Sequence, residues 1–489
     1  MATPIPKNEA TFSLAEIVVA TRGSLAREGG ERLVRGVCTD TRAVGPGDLF
    51  VALRGERFDG HDHVTAAASA GATAVLASRD VEVPTAVSVI RVDDTLRALG
   101  DLSACHRLRW SHAGLGPARR LVAVTGSAGK TTTRHALGKA LAELGLKVHT
   151  SAGNLNNAVG VPMTLFGLEA RHRVAVVEIG MSVSGEIKRS AEISRPDAGV
   201  VTLVADAHTE GVGSIWGVLE EKSDLLRSLG ERGVAAANGD SDLTRAALVK
   251  AGPRRRLLYG EASDCDVRLV SRASRGLAGS ELTVDVRRHG QPALRVESAV
   301  PLLGKAGAYA ALATLAVLVG LDEDRALDGG ALSRAVAATG GNEAGRLAPV
   351  ERADGAIVID DAYNANPASM TASVEASREL ADALGKDLVL VLGSMFELGG
   401  RSEALHREVG EAAARARPRV VIAAGDRGRA IGASAEAHGV RVVYAEGAAE
   451  AERAAVAEVG PRDLVLVKAS NSLGLARVAA HLTKGAVAS

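Results

Sequence analysis

Residues 125 to 135 read TGSAGKTTTRH, a set of residue types and spacings suited to gripping a phosphate chain. Gly126 and Gly129 let the backbone come close to an anion, and the N–H groups across Ser127 and Ala128 and into the following helix supply positive potential. Lys130 adds a charge, Thr131 offers a hydroxyl to Mg²⁺, and Thr132 completes the loop. That is triphosphate chemistry. The longer form of the motif wants glycine at 124, where the chain has Val124, so the match is to the shorter G-x-x-G-K-[ST] pattern.

Other candidates lie where open α/β sheets place ligand-binding groups, just past the carboxyl ends of strands. Glu178 ends the run VAVVEIG and His208 follows VVTLVADAH. Each alone reads as an ordinary solvated residue. Beside the phosphate loop, Thr131, a carboxylate and an imidazole from neighbouring strands can complete a Mg²⁺ shell, although imidazole is softer than the ligands Mg²⁺ usually takes. In SIWGVLEEKSDLL, Lys222 falls on the same helical face as Ile215, Val218, Leu219 and Leu226. Two readings stay open for it. The stem packs and the ammonium snorkels to water, or burial lowers its pKa so that a neutral amine takes up CO₂ and becomes a cation-binding carbamate.

The segment DDAYNANPASM (360–370) follows the apolar run AIVI. Asn366 as N-cap and Pro367 at the first helical position account for two of its residues. Asp360, Asp361, Tyr363 and Asn364 are left over and read as ribose and substrate contacts.

These groups need strands to end on and helices to start. The apolar run 121–124 has the length and branching of a buried strand, and Leu137, Leu141 and Leu144 mark one face of a helix stopping near Gly145. Runs at 174–177 and 199–204 read as further strands of a parallel sheet. Period-two alternation at Leu282, Val284 and Val286, then RHGQ and another apolar stretch, predicts an added antiparallel hairpin. A third α/β block begins after GNEAGR (341–346), with strand-like runs at 356–359, 387–393, 419–425, 440–445 and 463–468. HAGLGP (112–117) reads as a linker. The expectation is an α/β chain of three domains, 1–117, 118–345 and 346–489, the last two doubly wound.

Composition excludes some partners. With 58 basic and 58 acidic residues in 489, the chain lacks the basic excess that nucleic acid or an anionic membrane requires. Cys38, Cys105 and Cys265 show neither metal-ligand spacing nor an obvious pairing, which fits reduced cytosol. No stretch approaches roughly 18 uninterrupted apolar residues, so a cytoplasmic protein without membrane insertion is expected.

Taken together, TDTR, PGDLFVAL and FDGHDH in the first part, TGSAGKTTT, GNLNNAVGVP, VEIGMSVSGEI and AHTEGVGSIWGVLEEK in the second, and GR (345–346) with DDAYNANPASM in the third resemble the Mur ligases. Within that family YNANP is the discriminating element, and it points to the branch that adds D-alanyl-D-alanine to UDP-N-acetylmuramoyl-tripeptide. The resemblance implies an ATP- and Mg²⁺-dependent amide ligase with a small N-terminal α/β domain for the UDP end, a central mononucleotide-binding domain for ATP, and a Rossmann-like C-terminal domain that admits the amine; a monomer is expected. By position it assigns Thr39, Asp40, Thr41 and Arg42 to the UDP end and Gly126 to Thr132 to the phosphates. Asn154, Asn156 and Asn157 fall beside the peptide, with Tyr363, Asn364 and Asn366 on the dipeptide side. Glu178 and His208, with Thr131, are assigned to Mg²⁺, Lys222 to a carbamate, and Arg346 with Asp360 to the nucleotide. The chain departs from the family pattern at Leu203, Ala306, Gly307, Ala310, Ser394 and Asn471. A non-catalytic nucleotide-binding relative or a folylpolyglutamate-type ligase would share the central motif.

Overall fold

The computed structural model describes residues 5–55, 58–113, 118–252, 254–288, 290–324, 326–340, 343 and 345–484. Three main sheets follow one another along the chain. The first has five strands, ordered Ser24–Arg27, Ser88–Arg91, Ala74–Ala77, Leu49–Val51, Val37–Cys38, and is parallel except at the Ser24–Arg27 edge. The second has nine. Its parallel part runs Val148–Thr150, Val174–Glu178, Arg120–Thr125, Ala198–Val201, Val234–Asn238, Arg255–Gly260 and Val267–Ser274. Two antiparallel strands, Ser280–Val286 and Leu294–Val300, continue it, so the expected hairpin is there and extends the sheet through Val267–Ser274. The third has six strands, ordered Ala348–Glu351, Ile357–Asp360, Asp463–Lys468, Asp387–Gly393, Val420–Ala424, Val442–Ala445, with only the first pair antiparallel.

Alternation along single strands explains the helical cover on both faces. In Arg120–Thr125, Val122 and Val124 pack into one core with Leu137 and Leu141 of the phosphate-loop helix, while Leu121 and Ala123 pack into another with Val218, Leu219 and Leu226. A strand buried on both sides carries a continuous apolar run, which is why 121–124 is legible as one. The third sheet repeats the arrangement: Leu388 and Leu390 face one core, Val389 and Val391 the other.

Three expectations need adjustment. The run 199–204 leaves the sheet at Val201, because Thr202 and Leu203 turn to brace the phosphate loop. His112 is helical, at the end of Thr95–His112; the rest of the expected linker, 114–117, lies outside the described residues, as do 341, 342 and 344 of the next boundary. One 18-residue helix, Gly304–Leu321, is long and apolar enough to cross a membrane, with mean hydropathy 1.5, yet 78% of it is buried against the central sheet.

Candidate functional site

The phosphate loop is held open by the chain that follows Val201. Gly126 adopts φ +154°, and a Cβ there would sit 1.9 Å from Thr202 Oγ1, so only glycine fits. Thr202 Oγ1 donates to the Ala128 carbonyl (2.5 Å), Ser127 N–H to the Leu203 carbonyl (2.7 Å) and Ser127 Oγ to the Ala205 carbonyl (2.8 Å). Gly129, left-handed at φ +80°, starts the helix Lys130–Glu143, which begins with no side-chain cap and leaves its first N–H groups for an anion. Thr131 and Thr132 are the next residues of that first turn. Lys130 folds back to donate to the Gly126 carbonyl (2.7 Å). Burial pushes its ammonium below the ordinary lysine range; Glu178 opposes that shift and Arg346 adds to it.

Glu178 ends its strand and is 1% exposed. One carboxylate oxygen accepts from Asn156 Nδ2 (2.8 Å); the other has no hydrogen-bond partner and faces Arg134 Nε at 3.4 Å. Lys222, on the helix Ile215–Arg227, is 1% exposed, and among the described residues its ammonium forms no ion pair. Burial drives it well below the ordinary range, Lys130 pushes the same way, and Glu221 opposes. Burial at this depth does not fit a stem that snorkels to water. Glu221 anchors the loop after Glu178's strand, accepting from Ser184 Oγ (2.5 Å) and Gly185 N–H (2.8 Å).

His208 precedes the short helix Thr209–Val212. It takes a left-handed backbone at φ +57°, and its Nδ1 pairs with Glu397 of the third sheet's connections. Among the described residues no three His, Cys, Asp or Glu side chains gather as a metal cage. A magnesium ion is therefore matched by part of the expected set: the orphaned oxygen of Glu178 and the Thr131 hydroxyl are hard donors beside the loop, and Lys222 has the buried amine a carbamate needs. The His208 imidazole is engaged by Glu397.

The third unit reaches onto this loop. Asn366 caps the helix Pro367–Leu384 through a capping box with Ser369, and its Nδ2 also donates to the Ser127 carbonyl (2.8 Å). Arg346 lies over the Tyr363 ring at 4.1 Å, and Glu178, Glu343, Arg134 and Arg346 all act electrostatically on that phenol, whose pKa burial raises. Asp360 is raised by burial, then by its neighbour Asp361. Asp361 itself is a correction to the substrate-contact reading. It is buried, pairs with Lys468 Nζ (2.5 Å) and accepts from Ser373 Oγ and Leu347 N–H, so it is spent inside the fold. Asn364 Oδ1 accepts from Ala365 N–H (2.9 Å).

In the first unit, Asp40 accepts from the Arg42 guanidinium (2.9 and 2.6 Å) and its N–H (3.0 Å), which holds the carboxyl below its usual range. A cavity of about 930 Å³ opens between this unit and the edge of the central sheet. Its wall includes Cys38 and Ala43, which bracket Thr39 to Arg42, and Ala152 and Leu155, which bracket Asn154. Asn157 Oδ1 accepts from Gly160 N–H (2.8 Å) at the start of the helix Gly160–Phe166. Glu343, Glu397, Glu221 and Lys468 were not singled out from sequence. Only Lys468 carried a signal, as a charge closing an apolar strand run.

Three family models match in order along the chain: the Mur ligase family catalytic domain at 33–107, the Mur ligase middle domain at 124–318 and the Mur ligase glutamate ligase domain at 345–471. The UDP-N-acetylmuramoyl-tripeptide–D-alanyl-D-alanine ligase of Escherichia coli K12 is 37% identical over 437 residues, 86% of this chain and 87% of that protein. The crystal structure of MurF from Acinetobacter baumannii superposes with a TM-score of 0.84 at 26% identity, covering 99% of this chain and all of that one. MurF from Thermotoga maritima, solved in complex with ADP, gives 0.76 at 25% identity over 92% of this chain and 97% of that one. With the α/β architecture, the glycine-shaped phosphate loop and these matches in hand, the chain belongs to the Mur ligase family.

Proposed function

We propose that the protein joins D-alanyl-D-alanine to the terminal carboxylate of UDP-N-acetylmuramoyl-tripeptide at the expense of ATP, acting as a monomer in the cytoplasm. The observation that carries this reading is the bond from Asn366 to the Ser127 carbonyl, which sets the helix after YNANP directly on the phosphate loop. The amine side and the ATP side thus meet within one chain. In this reading residues 1–117 hold the UDP end through Thr39 to Arg42, 118–345 hold ATP, and 346–489 admit the dipeptide past Tyr363, Asn364 and Asn366.

A carboxylate is a poor acyl donor. Its attack on the γ-phosphorus of ATP gives an acyl phosphate and ADP, and the dipeptide amine then displaces phosphate. Lys130 and the loop N–H groups offset charge on the transferred phosphoryl group. Arg346 and Asp360 approach the nucleotide from the third unit, and Asn154, Asn156 and Asn157 flank the peptide. Mg²⁺, held by Thr131, Glu178, His208 and a carbamylated Lys222, would supply further charge neutralisation.

The test is phosphate release with UDP-muramoyl-tripeptide, Mg²⁺, ATP and D-alanyl-D-alanine, omitting each in turn. Turnover needs all four. Lys130→Ala should lose at least about a hundredfold in kcat with an unchanged fold, since one charge-stabilising contact contributes on the order of 3 kcal/mol to the barrier. Phosphate release that ignores the dipeptide would overturn the reading.

A further inference from the structure

Arg134 lies one helical turn beyond Lys130 and is 3% exposed. Its fork is divided among three partners. Nη1 donates to the Ser151 carbonyl (2.5 Å), Nη2 pairs with Glu343, and Nε faces the second oxygen of Glu178 at 3.4 Å. Both atoms of that last contact lack a hydrogen-bond partner, although the two oppositely charged groups are buried together. Burying such atoms unpaired is costly, so the pair stands a few tenths of an ångström from a bond the site can make. Glu343 belongs to the connector between the central and third units. Arg346 N–H donates to its carbonyl (3.0 Å), and Gly345, at φ +75°, packs on Tyr363. On the other side, Glu178 receives Asn156. Asn156, Glu178, Arg134 and Glu343 therefore form one continuous line from the loop at 154–157 to the connector.

We propose that Arg134 is a positioning residue that fixes the Glu178 carboxylate against the connector residue Glu343, coupling the placement of the third unit to the orientation of Glu178. This rests on the ligase reading above. The guanidinium suits the task because its planar fork can address two carboxylates and a carbonyl at once, which a lysine ammonium on a flexible stem cannot do with fixed directions. One guanidinium faces Glu178 and pairs with Glu343, so a shift of the connector that moves Glu343 reaches Glu178 through a single planar group.

The experiment compares wild type, Arg134→Lys, Arg134→Met, Glu343→Gln and the Arg134→Met/Glu343→Gln double variant. Two quantities are read: calorimetric affinity for ADP with and without Mg²⁺, and the Mg²⁺ concentration that half-saturates phosphate release. Residues that orient a metal-binding side chain typically contribute about 10–100-fold to metal affinity or activity. Arg134→Met should lose about that much in the Mg²⁺-dependent part of ADP affinity, with ADP affinity in chelator unchanged. Arg134→Lys should recover only part of it. Glu343→Gln, which leaves the buried arginine in place, should show a smaller loss in the same quantity, and the double variant should be no worse than Arg134→Met alone. If wild type turns over and Glu343→Gln keeps the wild-type Mg²⁺ dependence, or the two losses simply multiply, the proposal is overturned. A wild type inactive with all substrates present would instead strike at the ligase reading.

Discussion

Lys222 and Lys468 are both buried lysines in doubly wound parts of the molecule, and they are buried on different terms. Lys468 closes the strand Asp463–Lys468 and meets Asp361, which also accepts from Ser373 and from the backbone of Leu347. Lys222 forms no ion pair among the described residues, and Lys130, another cation, acts on it instead. Burial lowers both ammonium groups, opposed at Lys468 chiefly by Asp361 and at Lys222 only by Glu221. A buried charge with its counter-ion is explained by the fold alone. One without an ion pair, next to the phosphate-loop lysine, is not, and its unmet valence is where chemistry should be sought.

Substitution can break this contrast. Lys222→Ala should reduce turnover by at least about a hundredfold, the scale of a lost charge-stabilising group, and a short-chain carboxylic acid that fits the vacated space should restore part of it. Full turnover in Lys222→Met would return the residue to packing. Lys468→Met should act on stability first, because it strands Asp361 in the core; a loss of about 3–5 kcal/mol is expected from a denaturant midpoint. An unmoved midpoint with lost turnover would put Lys468 in the class of Lys222. The smallest effect is expected at the third unit's rim. Asn364→Ala should raise KM for D-alanyl-D-alanine by up to about tenfold, the scale of one lost hydrogen bond, with less change in KM for UDP-tripeptide. Equal changes in the two would indicate disturbed placement of the whole unit.

The same contrast marks what could be read from sequence. Strands 387–393 and 463–468 were legible residue for residue because both of their faces are buried, and Lys222 announced its register through Val218, Leu219 and Leu226. The phosphate loop was legible because its function demands glycines at fixed spacing. Asp360 and Asp361 were not separable: neighbouring residues at a strand end point to opposite sides, and only the fold reveals that Lys468 waits on one of them. The pairs Arg134–Glu343, His208–Glu397 and Asp206–Arg401 join residues 209, 189 and 195 positions apart, and a single charge carries no periodicity that could signal its partner. His208 was read correctly as a residue after a strand end. Its engagement by the third unit depends on how two sheets are set against each other, which no local pattern encodes.

The apolar helix Gly304–Leu321 has a consequence for how the protein is made. Apart from the helices Gly329–Ala337 and Pro367–Leu384, the elements it packs on come earlier in the chain, among them the helix Lys130–Glu143 and the strands Ala198–Val201, Val234–Asn238 and Arg255–Gly260. Synthesis proceeds from the N-terminus, and structure forms behind the growing end. The described stretch that could span a bilayer by length and composition therefore leaves the ribosome after most of the elements that cover it have been synthesised.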